Sequence, residues 1–220
     1  AFNKAVSLQQ SNPKKALKLC EEVLSKNPLF LPALQLGTSI SVKEKDFSKG
    51  ITFAEKICSI EETPKNLNQL ASFFVKSDNS LQAIKALKKS LFLDPYNPET
   101  LVNLAILHVK QQNYEQAVEI LEKYLKKNPA NKTTMWALGF SYYHLNEFKK
   151  SSLVLRKAHL ESPENLSILK ILSSNYYNQN LFYQTSQIIE KLIKLEPTSE
   201  AYNDLGIAYL NQRLYTKAFQ

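Results

Sequence analysis

The chain is poor in the residues that build reactive or irregular sites: four glycines, two cysteines, three histidines, one methionine and one tryptophan in 220 residues. Four scattered glycines cannot form the phosphate-cradling loops GxGxxG or GxxxxGK[ST], nor a GxSxG nucleophile elbow, and none of these strings occurs. His108, His144 and His159 stand far apart in the chain and form no HxxxH or HExxH pair, so no metal site is expected. Cys20 and Cys58 belong to different helical patterns and lie beside Leu, Val and Ile, which reads as two buried thiols and gives no zinc spacing. The pairs Glu21-Glu22 and Glu61-Glu62 read as solvated helix residues, because an acid/base pair needs burial to separate its two pKa values. No apolar run approaches the roughly 20 residues of a membrane-spanning helix, and no charged-then-apolar leader opens the sequence. The expectation is a chain without catalysis, cofactor, metal or membrane span.

What is present is periodic. Gly37, Ala71, Ala105, Gly139, Ser173 and Gly206 follow one another at a constant interval, a single position shorter at the last step, and each is preceded by leucine. Three residues after each stands Ile40, Phe74, His108, Tyr142, Tyr176 or Tyr209. A second small-residue column runs Ala16, Gly50, Ala83, Ala117, Ser151, Thr185 and Ala218, mostly with an aromatic three residues before it. A third column is proline: Pro28, Pro64, Pro95, Pro129, Pro163 and Pro197. Within one period lie two apolar patterns of helical spacing, such as Leu101, Leu104, Ala105, His108 and then Ala117, Ile120, Leu121, Tyr124. Each unit is therefore a helical hairpin. Small residues let its two helices approach closely, the aromatic fills the crossing, and proline is expected to end the second helix because it lacks the amide donor.

These columns resemble the tetratricopeptide repeat, a 34-residue helix-turn-helix with the pattern W-x2-L-G-x2-Y…A-x3-F…P. Tyr202, Leu205, Gly206 and Tyr209 match its first half, and Leu138, Gly139, Tyr142, Phe148, Leu155, Ala158 and Pro163 carry another unit with Met135 in the tryptophan place. Departures are a stretch from Gly37 to Phe47 one residue longer than its equivalents, Ser80 in place of the turn aromatic, and a poorly fitting first helix from Phe2 to Gln9. The resemblance implies an all-α, right-handed α-solenoid of stacked helix-turn-helix repeats over 1–220, in approximate units 1–29, 30–63, 64–97, 98–131, 132–165, 166–198 and an incomplete 199–220. Ending on Tyr215, Ala218 and Phe219 leaves apolar surface without a cap, so the parent protein is expected to continue beyond Gln220. That terminal repeat could also serve oligomerisation.

The formal charge of +8 invites a nucleic-acid reading. Lys56, Lys89, Lys123, Lys157 and Lys191 form a column near the end of each second helix, where lysine favours the helix macrodipole, and a solvated face accounts for them better. With most aromatics in core columns, nucleic acid is not the expected partner.

The resemblance implies that one face of each first helix lines a groove for an extended peptide or partner helix. The family's carboxylate clamp, built from Lys and Asn, is broken here: Lys170 fits one place, but Ser174 and Asp204 stand where asparagine belongs, and earlier only Asn103 matches, beside Asn68, Ser72 and Thr133. A family-type amide ladder would use Gln35, Gln69 and Asn103, each one repeat from the next, and stops at Ala137 and Ile171. The residues themselves give a stronger signal. Val102, Ile106 and Val109 lie at i, i+4 and i+7 outside the core stripe, and one full repeat later come Trp136, Phe140 and Tyr143, with Tyr177 one repeat further. The flanking repeats carry Lys65, Asn68 and Ser72 or Lys170 and Ser174 on that face, so the repeat itself does not require apolar residues there. Such a patch marks a binding surface for a protein or peptide with an apolar or aromatic segment. The other class of function in view is the recognition or oligomerisation arm of a larger enzyme, such as a glycosyl- or sulfo-transferase, with its catalytic domain outside this segment.

Overall fold

The computed structural model describes residues 1–128 and 131–219, and these form fourteen helices and no strand. In chain order they are α1 (Phe2–Leu8), α2 (Pro13–Lys26), α3 (Leu31–Glu44), α4 (Phe47–Ile60), α5 (Pro64–Lys76), α6 (Ser80–Leu93), α7 (Pro98–Lys110), α8 (Tyr114–Leu125), α9 (Lys132–His144), α10 (Phe148–Glu161), α11 (Leu166–Asn178), α12 (Phe182–Leu195), α13 (Ser199–Asn211) and α14 (Tyr215–Ala218). The chain divides into two compact units, Ala1–Leu107 and His108–Gln220.

In the first unit each helix from α1 to α5 packs on its successor. Its core includes Ala16, Leu17, Leu34, Ile40, Phe53 and Ile57. Small residues sit where helices meet: a Cβ at Gly37 would fall 2.8 Å from the Phe53 ring, and one at Gly50 would fall 2.2 Å from Phe73. Cys20 and Cys58 are buried and unbridged, and burial pushes each thiol up to about 11.

The second unit repeats the scheme from α8 to α14. Met135, Leu155, Ile168, Leu169, Leu172 and Ile189 belong to its core, and a Cβ at Gly139 would lie 2.4 Å from Leu155 Cγ. Gly206 differs, since a Cβ there would meet only the Ala218 carbonyl oxygen at 3.4 Å. Polar links tie the ends of first helices to the helix before them. Gln179 Nε2 donates to Phe148 O and Ser152 Oγ, and Gln212 Nε2 does the same to Phe182 O and Ser186 Oγ. The Tyr142 hydroxyl donates to Glu122 at 2.5 Å, and that of Tyr209 to Glu190 at 2.6 Å.

One backbone device closes the turn after each first helix from α3 to α13. Lys45, Asp78, Gln112, Asn146, Asn180 and Arg213 all have φ between 57° and 61°. The amides of Asp46, Asn79, Asn113, Glu147, Leu181 and Leu214 each donate to the carbonyl five residues back, at 2.8–3.0 Å. This is the Schellman closure, which satisfies a helix-end carbonyl and reverses the chain. The stretch between Gly37 and Phe47 keeps the same turn; its extra residue lengthens α3 to 14 residues, against 13 in α5. At the other helix ends, Asn12, Asp46, Thr63, Asn79, Asn131, Asn165 and Thr198 accept from the amide three residues on. Pro28, Pro95, Pro163 and Pro197 follow the ends of second helices, but Pro64 opens α5 instead, where its missing amide costs nothing. Pro129 lies outside the described residues.

Candidate functional site

Helix α9 carries two different faces. Met135, Leu138, Gly139 and Tyr142 are buried, which is the core stripe at helical spacing. Trp136, Phe140 and Tyr143 are only half-buried, one residue round from that stripe. Their rings form a continuous surface with neighbours the sequence did not reveal. Trp136 stacks on Phe140 with centroids 5.1 Å apart, Phe140 meets His144 at 4.4 Å, and Tyr114 of α8 stacks nearly parallel on His144 at 4.5 Å. Desolvation holds the His144 imidazole below its ordinary pKa. Trp136 also packs against the core of the second unit, so its ring is shared between core and surface.

From this face a cleft of about 300 Å³ continues past α11 to α13. Its walls include Tyr143 from α9, Ser174 and Tyr177 from α11, and Asp204 and Ile207 from α13. The two tyrosines are braced alike: Tyr143 packs on Phe148 at 6.0 Å and Tyr177 on Phe182 at 5.7 Å. In both repeats, therefore, the aromatic that opens the second helix props up the tyrosine near the end of the first, and the ring faces are held without using the tyrosine hydroxyls. Burial, with a smaller contribution from the Glu200 charge, raises the Asp204 carboxyl above the ordinary carboxylate value.

Val102 and Ile106 on α7 are half-buried and belong to the first unit, whereas Val109, which falls in the second, is buried and offers little surface. Gln35 and Gln69 are exposed and Asn103 half-buried, all three in the first unit. Asn68 is buried, donating to Asn97 Oδ1, and Lys170 is paired with Glu196 at 2.9 Å. Both therefore have structural partners that compete with a clamp role. Sequence reasoning missed Tyr114 and His144, since their meeting depends on how α8 packs on α9. In the sequence Asp204 stands only as a mismatch to the clamp, since its place in the cleft depends on how α13 packs beside α11 and α12. Among the described residues no group of three or more His, Cys, Asp or Glu could hold a metal ion, and no helix is long and apolar enough to cross a membrane.

Residues 75–139 match the family model described as tetratricopeptide repeat. Among solved structures, the chain is similar to the C-terminal part of a tetratricopeptide-repeat protein from Cytophaga hutchinsonii, with TM-score 0.79 and 15% identity, over 99% of this chain and 91% of that one. It is also similar to a tetratricopeptide repeat protein from Parabacteroides merdae (TM-score 0.71, 18% identity, 99% of this chain and 87% of that one). YrrB, described as a TPR protein with an unusual peptide-binding site, gives TM-score 0.70 and 16% identity over 75% of this chain and 86% of its own. At these identities the likeness is one of fold. No curated protein matches the chain by sequence.

Proposed function

We propose that this chain of tetratricopeptide-repeat fold is a non-catalytic protein-interaction scaffold, and that its second unit takes a peptide segment or partner helix along α9 and α11. The observation that carries this reading is the ring surface of Trp136, Phe140 and Tyr143, with Tyr177 beyond it, standing outside the core stripe and opening into a cleft. The equivalent places on α11 hold exposed Lys170 and half-buried Ser174. Core packing accounts for part of the Trp136 ring but not for Phe140 and Tyr143, which lie outside the core cluster of the second unit. Interface energy concentrates in Trp and Tyr, and a groove faced with rigid rings suits an extended or helical segment bearing apolar side chains. Val102 and Ile106 offer an equivalent face on α7 in the first unit, and the exposed amides of Gln35 and Gln69 with half-buried Asn103 are the proposed ladder for a bound backbone.

Trp136 is the chain's sole tryptophan, so its emission reports directly on this surface. Peptides selected from a random display library on the wild-type protein, with counter-selection on the double variant Phe140→Ala and Tyr143→Ala, should change that emission on titration. The double variant should weaken the selected peptides by about 2 kcal/mol or more if these rings are hot spots, while keeping its helical circular dichroism. Equal binding by the variant would show that the rings are not the site.

A further inference from the structure

The lining of the cleft between α9, α11 and α13 is uneven in its hydrogen-bonding capacity. Ser173 Oγ and Ser174 Oγ both donate to the Lys170 carbonyl, at 2.8 and 3.1 Å, and Thr185 Oγ1 donates to the Leu181 carbonyl at 3.0 Å. Asn178 Nδ2 donates to the Ser174 carbonyl at 2.8 Å. With these donors committed to their own helices, the lining is weighted toward acceptors: the serine and threonine lone pairs, the Asn178 Oδ1 and the Asp204 carboxylate, against the two tyrosine hydroxyls and the second Asn178 N–H as the remaining donors. Among the described lining residues Asp204 alone carries a charge at neutral pH, in a chain of net charge +8. Glu200 stands one turn before it on α13 and adds to the negative potential. Lys170, the nearest cation on α11 by helical position, is already neutralised by Glu196.

We infer that this cleft accepts a cationic side chain of the bound segment, arginine in preference to lysine, with Asp204 as its counter-charge and the faces of Tyr143 and Tyr177 as its walls. This rests on the reading of α9 and α11 as the binding surface and specifies what that surface selects. An acceptor-rich lining suits a group that only donates, and guanidinium carries five donors in a plane that stacks on aromatic faces. An anionic segment would meet Asp204 and Glu200 with no cation among the described lining residues to offset them. An apolar segment would cover Asp204 without pairing it, which costs free energy. A cation satisfies both the carboxylate and the rings, whose quadrupoles attract it.

The test uses three acetylated, amidated heptapeptides, Ala-Leu-Tyr-Xaa-Leu-Ala-Ala, with arginine, norleucine or glutamate at Xaa, titrated into the 15N-labelled chain. The arginine peptide should shift the amides of Ser174, Tyr177 and Asp204 and bind about fivefold or more tighter than the norleucine peptide, as one exposed ion pair with a cation–π contact provides. The glutamate peptide should bind weakest, Asp204→Asn should erase the arginine preference, and raised salt should diminish it. Tyr177→Leu, which leaves the charge in place, should reduce the preference without abolishing it. If arginine and norleucine peptides bind these amides equally and Asp204→Asn changes nothing, the cation site is wrong while the groove reading stands. If no peptide shifts the α9 and α11 amides, both fall.

Discussion

At Gly139 and Gly206 the same column of the sequence holds two different physical situations. A Cβ at Gly139 has nowhere to go, being 2.4 Å from Leu155 Cγ, whereas at Gly206 it meets one carbonyl oxygen at ordinary contact distance. Gly139→Ala should therefore destabilise the protein by about 1–3 kcal/mol through overpacking. Gly206→Ala should stabilise it by about 0.5–1 kcal/mol, the helix-interior cost of glycine. Urea denaturation of the two variants should give shifts of opposite sign. Histidine titration belongs to the same scale. His159 has a buried Nδ1 without a hydrogen-bond partner among the described residues, and burial, then the Lys191 charge, lowers its pKa; burial lowers that of His144. Both pKa values lie below that of an unfolded histidine, about 6.5, so between the folded and unfolded values the unfolded chain binds more protons. Stability is then fully present above about pH 6.5 and is lost as pH falls through the folded values. Melting temperature should drop on acidification from neutral pH to mildly acid pH, and replacing both histidines with glutamine should flatten that slope.

Helix positions were legible because apolar spacing, small residues and turn aromatics each mark them separately. The turn closure was not legible, for an equally physical reason. Lys45, Asp78, Gln112, Asn146, Asn180 and Arg213 share a backbone conformation but no side-chain chemistry, so the column has no letter to read. The left-handed region disfavours all but glycine and, to a lesser degree, Asn and Asp. Gln112→Gly should therefore stabilise by about 0.5–1 kcal/mol, with a smaller gain for Asn180→Gly. No gain at Gln112, measured by thermal denaturation, would show that its side chain contributes more than the backbone relief. The extra residue between Gly37 and Phe47 follows the same logic. The turn is a fixed backbone object, so the chain absorbs the insertion in α3, where a longer helix loses no capping bond. Of the candidate site, the α9 rings were legible as an off-core stripe. The cleft's acceptor lining was not, because which hydroxyls are already engaged is a property of the folded helices.

Across the whole molecule, the repeat period runs unbroken through residues 107 and 108, where the chain divides into its two units, so periodicity alone carries no mark of that boundary. The units differ in reactive content. Both cysteines lie in the first, at 0% and 9% exposure, with their thiols held protonated at neutral pH by pKa values of about 11. Thiolate is the attacking species and access is closed, so a disulfide reagent can reach Cys20 or Cys58 only when the surrounding helices part. The labelling rate divided by that of the unfolded chain is then an opening equilibrium constant for α2 or α4, residue by residue. Single-cysteine variants that retain one thiol each should label at different rates if those helices open independently, and at one common rate if the first unit opens only as a whole.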